Sequence, residues 1–141
     1  MDDDSPILGY VEDDRRAEVE ARVDELLAEM SLEEKAGQLT QENAGFLTGT
    51  DVGRSDTAEA IADGEVGSLL NVESIEDARE FQEIAVEESP SGVPLLLALD
   101  VIHGYRTLFP MPLAEAAAWD PDLAERTADV AATEAAACGG H

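Results

Sequence analysis

The segment most informative about the fold is Val93-Pro94-Leu95-Leu96-Leu97-Ala98-Leu99-Asp100. Its first seven residues carry no polar side chain and show no alternation, which is the pattern of a parallel strand covered on both faces. A shorter strand is predicted over 65–72. Between the two, apolar residues follow Ser74 at three- and four-residue steps and predict a helix. Strands that alternate with helices favour an α/β fold with a parallel sheet.

Helix signals surround these two strands. Ser31-Leu32-Glu33-Glu34 forms a capping box, in which Ser31 accepts from free backbone N–H groups and Glu34 reaches back. Asp120-Pro121 supplies an N-cap and a proline at the first helical position. Asp56-Thr57 is a candidate cap for a short helix, and a glycine-rich loop precedes it over 45–53. The predicted helices span 15–30, 32–39, 56–64, 74–88 and 121–137.

The size of the chain limits what these elements can build. Its 141 residues suit one domain. Two strands are too few to cover both faces of the run 93–99. We therefore expect the chain to be part of a larger architecture.

The charge balance restricts the partners. Lys and Arg number 8 against 33 Asp and Glu, so the formal net charge is -25. Nucleic acids and anionic membranes bind through clustered Lys and Arg, and neither is expected as a partner. Such an acidic surface suits a salt-rich cytoplasm, because in molar salt the Debye length falls to about 3 Å and self-repulsion is screened.

The N-terminus and the apolar runs give the expected location. Met1 is followed by three aspartates, where a secretory signal would carry positive charge and then an apolar stretch. The longest apolar run, 93–99, is too short to span a bilayer. We expect a cytoplasmic protein, and the single Cys138 excludes an intramolecular disulfide framework.

Asp100 is the principal candidate for a ligand contact. It follows the apolar strand directly, and ligands of parallel α/β folds bind at the carboxyl ends of strands. An ionised carboxylate accepts hydrogen bonds and suits a pair of sugar hydroxyls. Two structural roles remain open for Asp100: capping a turn, or pairing with Arg106. For Arg106 itself the alternatives are an ion pair and a ligand contact. For His103 they are a proton shuttle, a metal ligand and a hydrogen-bonded structural role, and the last is favoured because no second ligand lies at metal-binding spacing from it.

Other candidates favour structural roles. Trp119 can stack on a sugar, but its place before a helix cap favours packing. Asn71 ends the shorter strand, where turn capping is the simpler role. Cys138 and His141 offer two metal ligands at most, too few for a zinc site. The sequence therefore predicts no metal centre and no cofactor.

Four blocks of the chain resemble glycoside hydrolase family 3 β-glucosidases. VPLLLALDVIHGYRTLFP, residues 93–110, is similar to a strand and loop of that family. The other blocks resemble the family's N-terminal segment, its next strand and a helix entry; they are MSLEEKAGQL (30–39), GSLLN (67–71) and PLAEAAAWD (112–120). The order of the four blocks and the spacing between them agree with the family, and the resemblance covers about residues 22 to 137.

The resemblance implies the N-terminal part of a TIM-like (β/α)8 barrel over 15–137, incomplete in this chain because a full barrel needs about 250 residues. Residues 1–14 are expected to form an acidic flexible segment. At 138–141 the sequence Cys-Gly-Gly-His departs from the family's pattern. This end is predicted to be atypical and truncated.

The resemblance also implies the activity, which is retaining hydrolysis of terminal β-D-glucosyl residues in β-glucosides or oligosaccharides. In the family, the aspartate that matches Asp100 holds hydroxyls of the sugar beside the scissile bond. His103 and Arg106 match positions expected to shape the loop around it. No residue present matches the nucleophile or the acid/base, so the fragment is expected to be inactive alone. The alternative is a non-enzymatic sugar-binding or interaction module, completed by another chain.

Overall fold

Three short parallel strands form the centre of the structure, a computed structural model that describes residues 13–44, 54–72 and 74–141. Within these ranges the elements are α1 (Asp13–Glu29), α2 (Leu32–Gln38), β1 (Gln41–Asn43), α3 (Arg54–Ala62), β2 (Ser68–Leu70), α4 (Ile75–Glu87), β3 (Leu96–Ala98), α5 (Pro112–Ala117) and α6 (Pro121–Ala136). The predicted loop over 45–53 and most of the predicted flexible segment over 1–14 lie outside the described residues.

The sheet has the order β1-β2-β3, and both pairs are parallel. In the register, Glu42 lies beside Leu69, and Leu69 lies beside Leu97. Because side chains alternate along a strand, Leu69 and Leu97 share one face of the sheet, and Leu96 lies on the other. The parallel α/β arrangement predicted from the sequence is confirmed. The sheet has three strands in place of the two predicted, because β1 was not expected from the sequence.

The hydrophobic core lies on the helix-covered face of the sheet. Leu69 is fully buried there at 0 % exposure, and Phe81 of α4 packs in the same cluster. The other buried residues of this cluster come from α3, α4, the strands and their flanks; they are Ile61, Val66, Val72, Ala78, Ala85, Leu95 and Leu97.

The opposite face of β3 is open, which corrects the sequence prediction. The run 93–99 was expected to be covered on both faces. Leu95 and Leu97 are buried, but Leu96 is 65 % exposed. The physical reason is that the buried cluster, with α3 and α4, covers only one side of the sheet. None of the helices in the described ranges is long and apolar enough to cross a bilayer.

The capping signals form the expected helix starts. The hydroxyl of Ser31 accepts from the Glu34 N–H at 3.1 Å, and the Glu34 carboxylate accepts from the Ser31 N–H at 2.6 Å. Ser74 and Asp120 cap α4 and α6 through their side chains. The helix predicted over 56–64 instead begins at residue 54, so Thr57 lies inside α3 and is buried at 2 % exposure rather than capping it.

Two glycines let α2 approach the start of β2 closely. A Cβ on Gly37 would stand 2.0 Å from the carbonyl oxygen of Gly64. A Cβ on Gly67 would meet the backbone of Gln38 at 2.5–2.8 Å. Contacts this short cannot exist, so glycine is required at both positions. This approach sets where β1 enters the sheet, because β1 follows α2 after two residues.

The outer edge of β3 has hydrogen-bond partners at two residues. The side chain of Gln82 donates to the Leu95 carbonyl at 2.8 Å and accepts from the Leu95 N–H at 2.9 Å. The N–H of His141 donates to the Leu97 carbonyl at 2.8 Å, and its Nδ1 accepts from the Leu97 N–H at 3.0 Å. His141 therefore lies beside β3 in the place of a fourth strand.

Candidate functional site

Polar side chains lie together at the carboxyl ends of the three strands. Asn43 ends β1, Asn71 follows β2, and Asp100 lies two residues after β3. Nδ2 of Asn71 donates to Oδ1 of Asn43 at 3.3 Å, and Oδ1 of Asn71 accepts from the backbone N–H of Asp100 at 3.4 Å. We call these three residues the strand-end row. The row runs across the edge of the sheet where parallel folds bind ligands.

Asn71 is the centre of this row, and its backbone explains why asparagine suits the position. Its φ is 63°, a left-handed conformation that Asn adopts more readily than other non-glycine residues. In this conformation its N–H donates to the carbonyl of Ala98 at 2.7 Å. Asn71 therefore joins β2 to β3 through its backbone and reaches both neighbouring strand ends through its side chain. The sequence analysis favoured turn capping and did not foresee this bridge.

Asp100 is exposed and begins a loop with its own hydrogen bonds. The N–H of Gly104 donates to the carbonyl of Val101 at 3.1 Å, and the N–H of Phe109 donates to the carbonyl of His103 at 2.8 Å. Gly104 has a φ of 98°, and a Cβ there would stand 2.0 Å from a backbone oxygen. We call residues 100–109 the Asp100 loop. Its folded shape leaves the Asp100 carboxylate accessible to a ligand.

His103 and Arg106 lie on the Asp100 loop, and both are exposed. The guanidinium of Arg106 lies over the ring of Tyr105, with Cζ 5.2 Å from the ring centroid. Contact with Cys138, and then the proximity of Tyr105, raise the pKa of Arg106 above its usual range. Burial is the largest cause that raises the pKa of Tyr105, followed by its contact with Cys138. Arg106 therefore packs against Tyr105 and Cys138, not in the ion pair with Asp100 left open by the sequence.

Glu134 of α6 holds the far side of the Asp100 loop, and the sequence analysis did not single it out. Its Oε2 accepts from the N–H groups of Arg106 at 2.7 Å and Thr107 at 2.8 Å, and its Oε1 accepts from the Thr107 hydroxyl at 2.7 Å. The Thr107 hydroxyl is the largest cause that lowers the pKa of the Glu134 carboxyl. In the sequence, Glu134 resembles any other acidic residue on a solvated helix face.

The remaining candidates lie away from the strand-end row. Trp119 is 92 % exposed in the turn between α5 and α6, at a φ of 54°. A groove of about 370 Å³ beside it is lined by residues of those two helices and their turn. Cys138 and His141 form no cluster of three metal-ligating side chains with other residues, as far as the described ranges extend.

Fold and site together define a class of structure, a segment of a parallel α/β fold with polar side chains at the carboxyl ends of its strands. Residues 31–141 match the family described as "Glycosyl hydrolase family 3 N terminal domain", and the chain belongs to this family. The N-terminal domain of the family has a TIM-barrel-like fold, of which the three-stranded sheet is an incomplete part. The resemblance stated from four sequence blocks is confirmed.

Known β-glucosidases are similar to the chain in sequence. It is 36% identical over 117 residues to the periplasmic beta-glucosidase of Salmonella typhimurium, with 83% of this chain and 15% of that protein covered. It is 27% identical over 141 residues to the lysosomal beta glucosidase of Dictyostelium discoideum, with 83% and 17% covered. The chain therefore spans about a sixth of the length of these relatives.

Solved structures of a β-glucosidase from Listeria innocua are similar to the chain in fold. The complex with isofagomine matches with a TM-score of 0.69 and 34% identity, covering 86% of this chain and 17% of that one. The complex with glucose matches with a TM-score of 0.71 and 34% identity, covering 86% and 18%.

Proposed function

We propose that this chain supplies part of the glucose-binding edge of a retaining β-glucosidase that releases terminal non-reducing β-D-glucosyl residues. Family membership and the β-glucosidase relatives support the reaction class. The observation that carries the proposal is the exposed carboxylate of Asp100 at the end of β3, with its backbone tied to Asn71. Two carboxylate oxygens can accept hydrogen bonds from neighbouring hydroxyls of one sugar.

Three residues of the Asp100 loop have roles in this proposal. Asp100 binds sugar hydroxyls. His103 and Arg106 shape the loop, which agrees with the contact of Arg106 with Tyr105. Retaining hydrolysis also needs a carboxylate nucleophile and a second carboxyl group about 5–5.5 Å away that acts as acid and then base. We assign neither role to a residue of this chain, and propose that further barrel strands supply them.

The open face of β3 supports a chain that is completed by further structure. Leu96 is 65 % exposed on a sheet face that interior packing would cover in a closed barrel. The alternative, a non-enzymatic sugar-binding module, is favoured by a different observation. Gln82 and His141 already satisfy two backbone groups each at the outer edge of β3, which protects the strand from pairing with another chain.

Two assays separate these functions. Calorimetric titration of glucose into the chain measures binding, and release of the aryl group from an aryl β-glucoside measures hydrolysis. We expect glucose binding that Asp100→Asn weakens about tenfold or more, since a hydrogen-bonded carboxylate is lost. Asp129→Asn on the exposed surface of α6 is the matched control and should bind glucose as the unsubstituted chain does. Equal affinity in the two variants would reject the role of Asp100.

Hydrolysis decides between the two functions. If the aryl β-glucoside is hydrolysed only after the further barrel strands are added to the chain, the β-glucosidase proposal is supported. Binding without turnover, even with that addition, would support the sugar-binding module.

The proposed cellular setting is a salt-rich cytoplasm, supported by the net charge of -25. In dilute buffer the acidic groups repel one another, and salt screens that repulsion. We expect the melting temperature to rise steadily from dilute buffer to molar KCl. A melting temperature that is independent of KCl would count against this setting.

A further inference from the structure

Hydrogen bonds of unequal strength hold the Asp100 loop at its base and on its far side. At its base, the N–H of Asp100 donates to Asn71 in one long hydrogen bond of 3.4 Å. On its far side, the Glu134 carboxylate accepts three hydrogen bonds of 2.7–2.8 Å from Arg106 and Thr107. Hydrogen bonds to a carboxylate are shorter and stronger than those between neutral groups. The attachment at Glu134 is therefore the stronger one.

Internal hydrogen bonds link residues 101–109 of the Asp100 loop to one another. The bonds from Gly104 to Val101 and from Phe109 to His103 close the segment between its two attachments. Isolated bridges also pair Gly104 with Ile102 and with Leu108. These bonds connect the part of the loop that Glu134 holds, Arg106 and Thr107, to the segment that begins next to Asp100.

Glu134 is suited to hold this loop in one place. It lies in the last turns of α6, a 16-residue helix, and the adjacent Ala135 is buried. Both of its carboxylate oxygens accept hydrogen bonds from the loop. The lowered pKa of the Glu134 carboxyl keeps it ionised near neutral pH.

We infer that Glu134 is a positioning residue for sugar binding: by holding Arg106 and Thr107, it fixes the Asp100 carboxylate where it receives sugar hydroxyls. This inference rests on the proposed function of Asp100. It deepens that function by assigning part of the affinity for glucose to a helix residue that does not touch the sugar.

The test compares two substitutions that remove different parts of the contact. Glu134→Ala removes all three hydrogen bonds. Glu134→Gln removes the charge but keeps an oxygen for the two backbone N–H groups and an amide for the Thr107 hydroxyl. Glu125→Gln, on the exposed surface of the same helix, is the matched control. Each full-length variant is measured for glucose affinity by calorimetry and for amide hydrogen exchange at residues 106 and 107.

A stability control separates the positioning of the Asp100 loop by Glu134 from a loss of overall protein stability. Ser89→Ala removes the side-chain hydrogen bonds of Ser89 to Ala85 and Gly92 at the end of α4, away from the Asp100 loop. We expect it to lower the melting temperature and to leave glucose affinity unchanged. A purely structural role of Glu134 would give the same result as Ser89→Ala.

The expected order of effects follows from the lost contacts. Glu134→Ala should speed amide exchange at Arg106 and Thr107 by about tenfold and weaken glucose binding by about tenfold, and Glu134→Gln should change both by about threefold. Faster exchange with unchanged glucose affinity would overturn the inference, and so would unchanged exchange. If Glu134→Ala loses its cooperative melt, Glu134→Gln alone decides by the same criteria.

Failure of the underlying proposal gives a different pattern. If the unsubstituted chain binds no glucose, the role of Asp100 is rejected, and the inference falls with it whatever the exchange rates are. If the chain binds glucose and Asp100→Asn weakens binding while both Glu134 variants bind normally, only the inference is rejected.

Discussion

Substitutions of Asn71 separate the two physical reasons for an asparagine at the centre of the strand-end row. One reason is the pair of side-chain hydrogen bonds, at 3.3 and 3.4 Å, to Asn43 and from Asp100. The other is the backbone φ of 63°, which disfavours most side chains. Asn71→Gly removes the hydrogen bonds, and glycine adopts this backbone φ without strain. Asn71→Ala removes the hydrogen bonds and adds strain.

The geometry gives the expected magnitudes. Both hydrogen bonds are long, so each contributes about 0.5 kcal/mol, the lower end of the usual range. Glycine adds about 0.5 kcal/mol through the freedom of the unfolded chain. Asn71→Gly should therefore lower the free energy of unfolding by about 1.5 kcal/mol. Alanine in the left-handed region costs about 1–2 kcal/mol, so Asn71→Ala should lower it by about 2–3 kcal/mol.

Denaturant unfolding in molar KCl measures these differences, and amide exchange at Asp100 reports the hydrogen bond directly. Asn71→Asp is the matched variant, because it keeps an oxygen that can accept from the Asp100 N–H. We expect faster exchange of that amide in the glycine variant than in the aspartate variant. An alanine variant as stable as the glycine variant would refute the backbone argument. Equal exchange in all variants would refute the hydrogen-bond argument.

Three further predictions concern stability. Gly67→Ala should lower the denaturation midpoint strongly, because its Cβ would stand 2.5–2.8 Å from the backbone of Gln38; a midpoint within error of the original would contradict that close approach. Gln82→Leu should cost about 1–3 kcal/mol in urea unfolding, since it leaves the backbone N–H and carbonyl of Leu95, the residue before β3, without their partner, and no loss would show that water replaces it. The Ser31 N–H lowers the pKa of Glu34 in the folded protein, so the ionised Glu34 carboxylate stabilises the fold. This stabilisation is fully present above about pH 4.3, the pKa of an unfolded glutamate, and is lost as the pH falls through the lower pKa of the folded state. Melting temperatures of Glu34→Gln should therefore fall less on acidification than those of the original chain, and parallel curves would contradict this.

The elements that the sequence predicted well depend on local signals. The capping box at Ser31 and the cap at Ser74 act within four residues, so the pattern alone locates α2 and α4. The apolar run 93–99 likewise identifies β3. β1 was missed because its sequence, Gln41-Glu42-Asn43, is polar and has weak strand propensity. It is a strand because its backbone pairs with β2, a contact between residues 27 apart.

In the candidate site, too, local signals were predicted from the sequence and contacts between distant residues were not. Asp100 was predicted because the strand-end rule needs only the adjacent strand. The bridge from Asn71 to Asn43 and Asp100 joins residues 28 and 29 positions apart, and the contact of Glu134 with Thr107 spans 27. No local pattern distinguishes Glu134 from the other acidic residues of the helices. The open face at Leu96 was also missed, because an apolar run does not show which neighbours are present to cover it.

Chemical-shift mapping with glucose on the isotopically labelled chain in molar KCl tests whether the edge formed by Asn43, Asn71 and Asp100 receives the sugar. We expect saturable shifts of the backbone amides at residues 71 and 100–104, which in Asp100→Asn need about tenfold more glucose or more to reach half-saturation. Shifts confined to the turn around Trp119, or no shifts at saturating glucose, would contradict it.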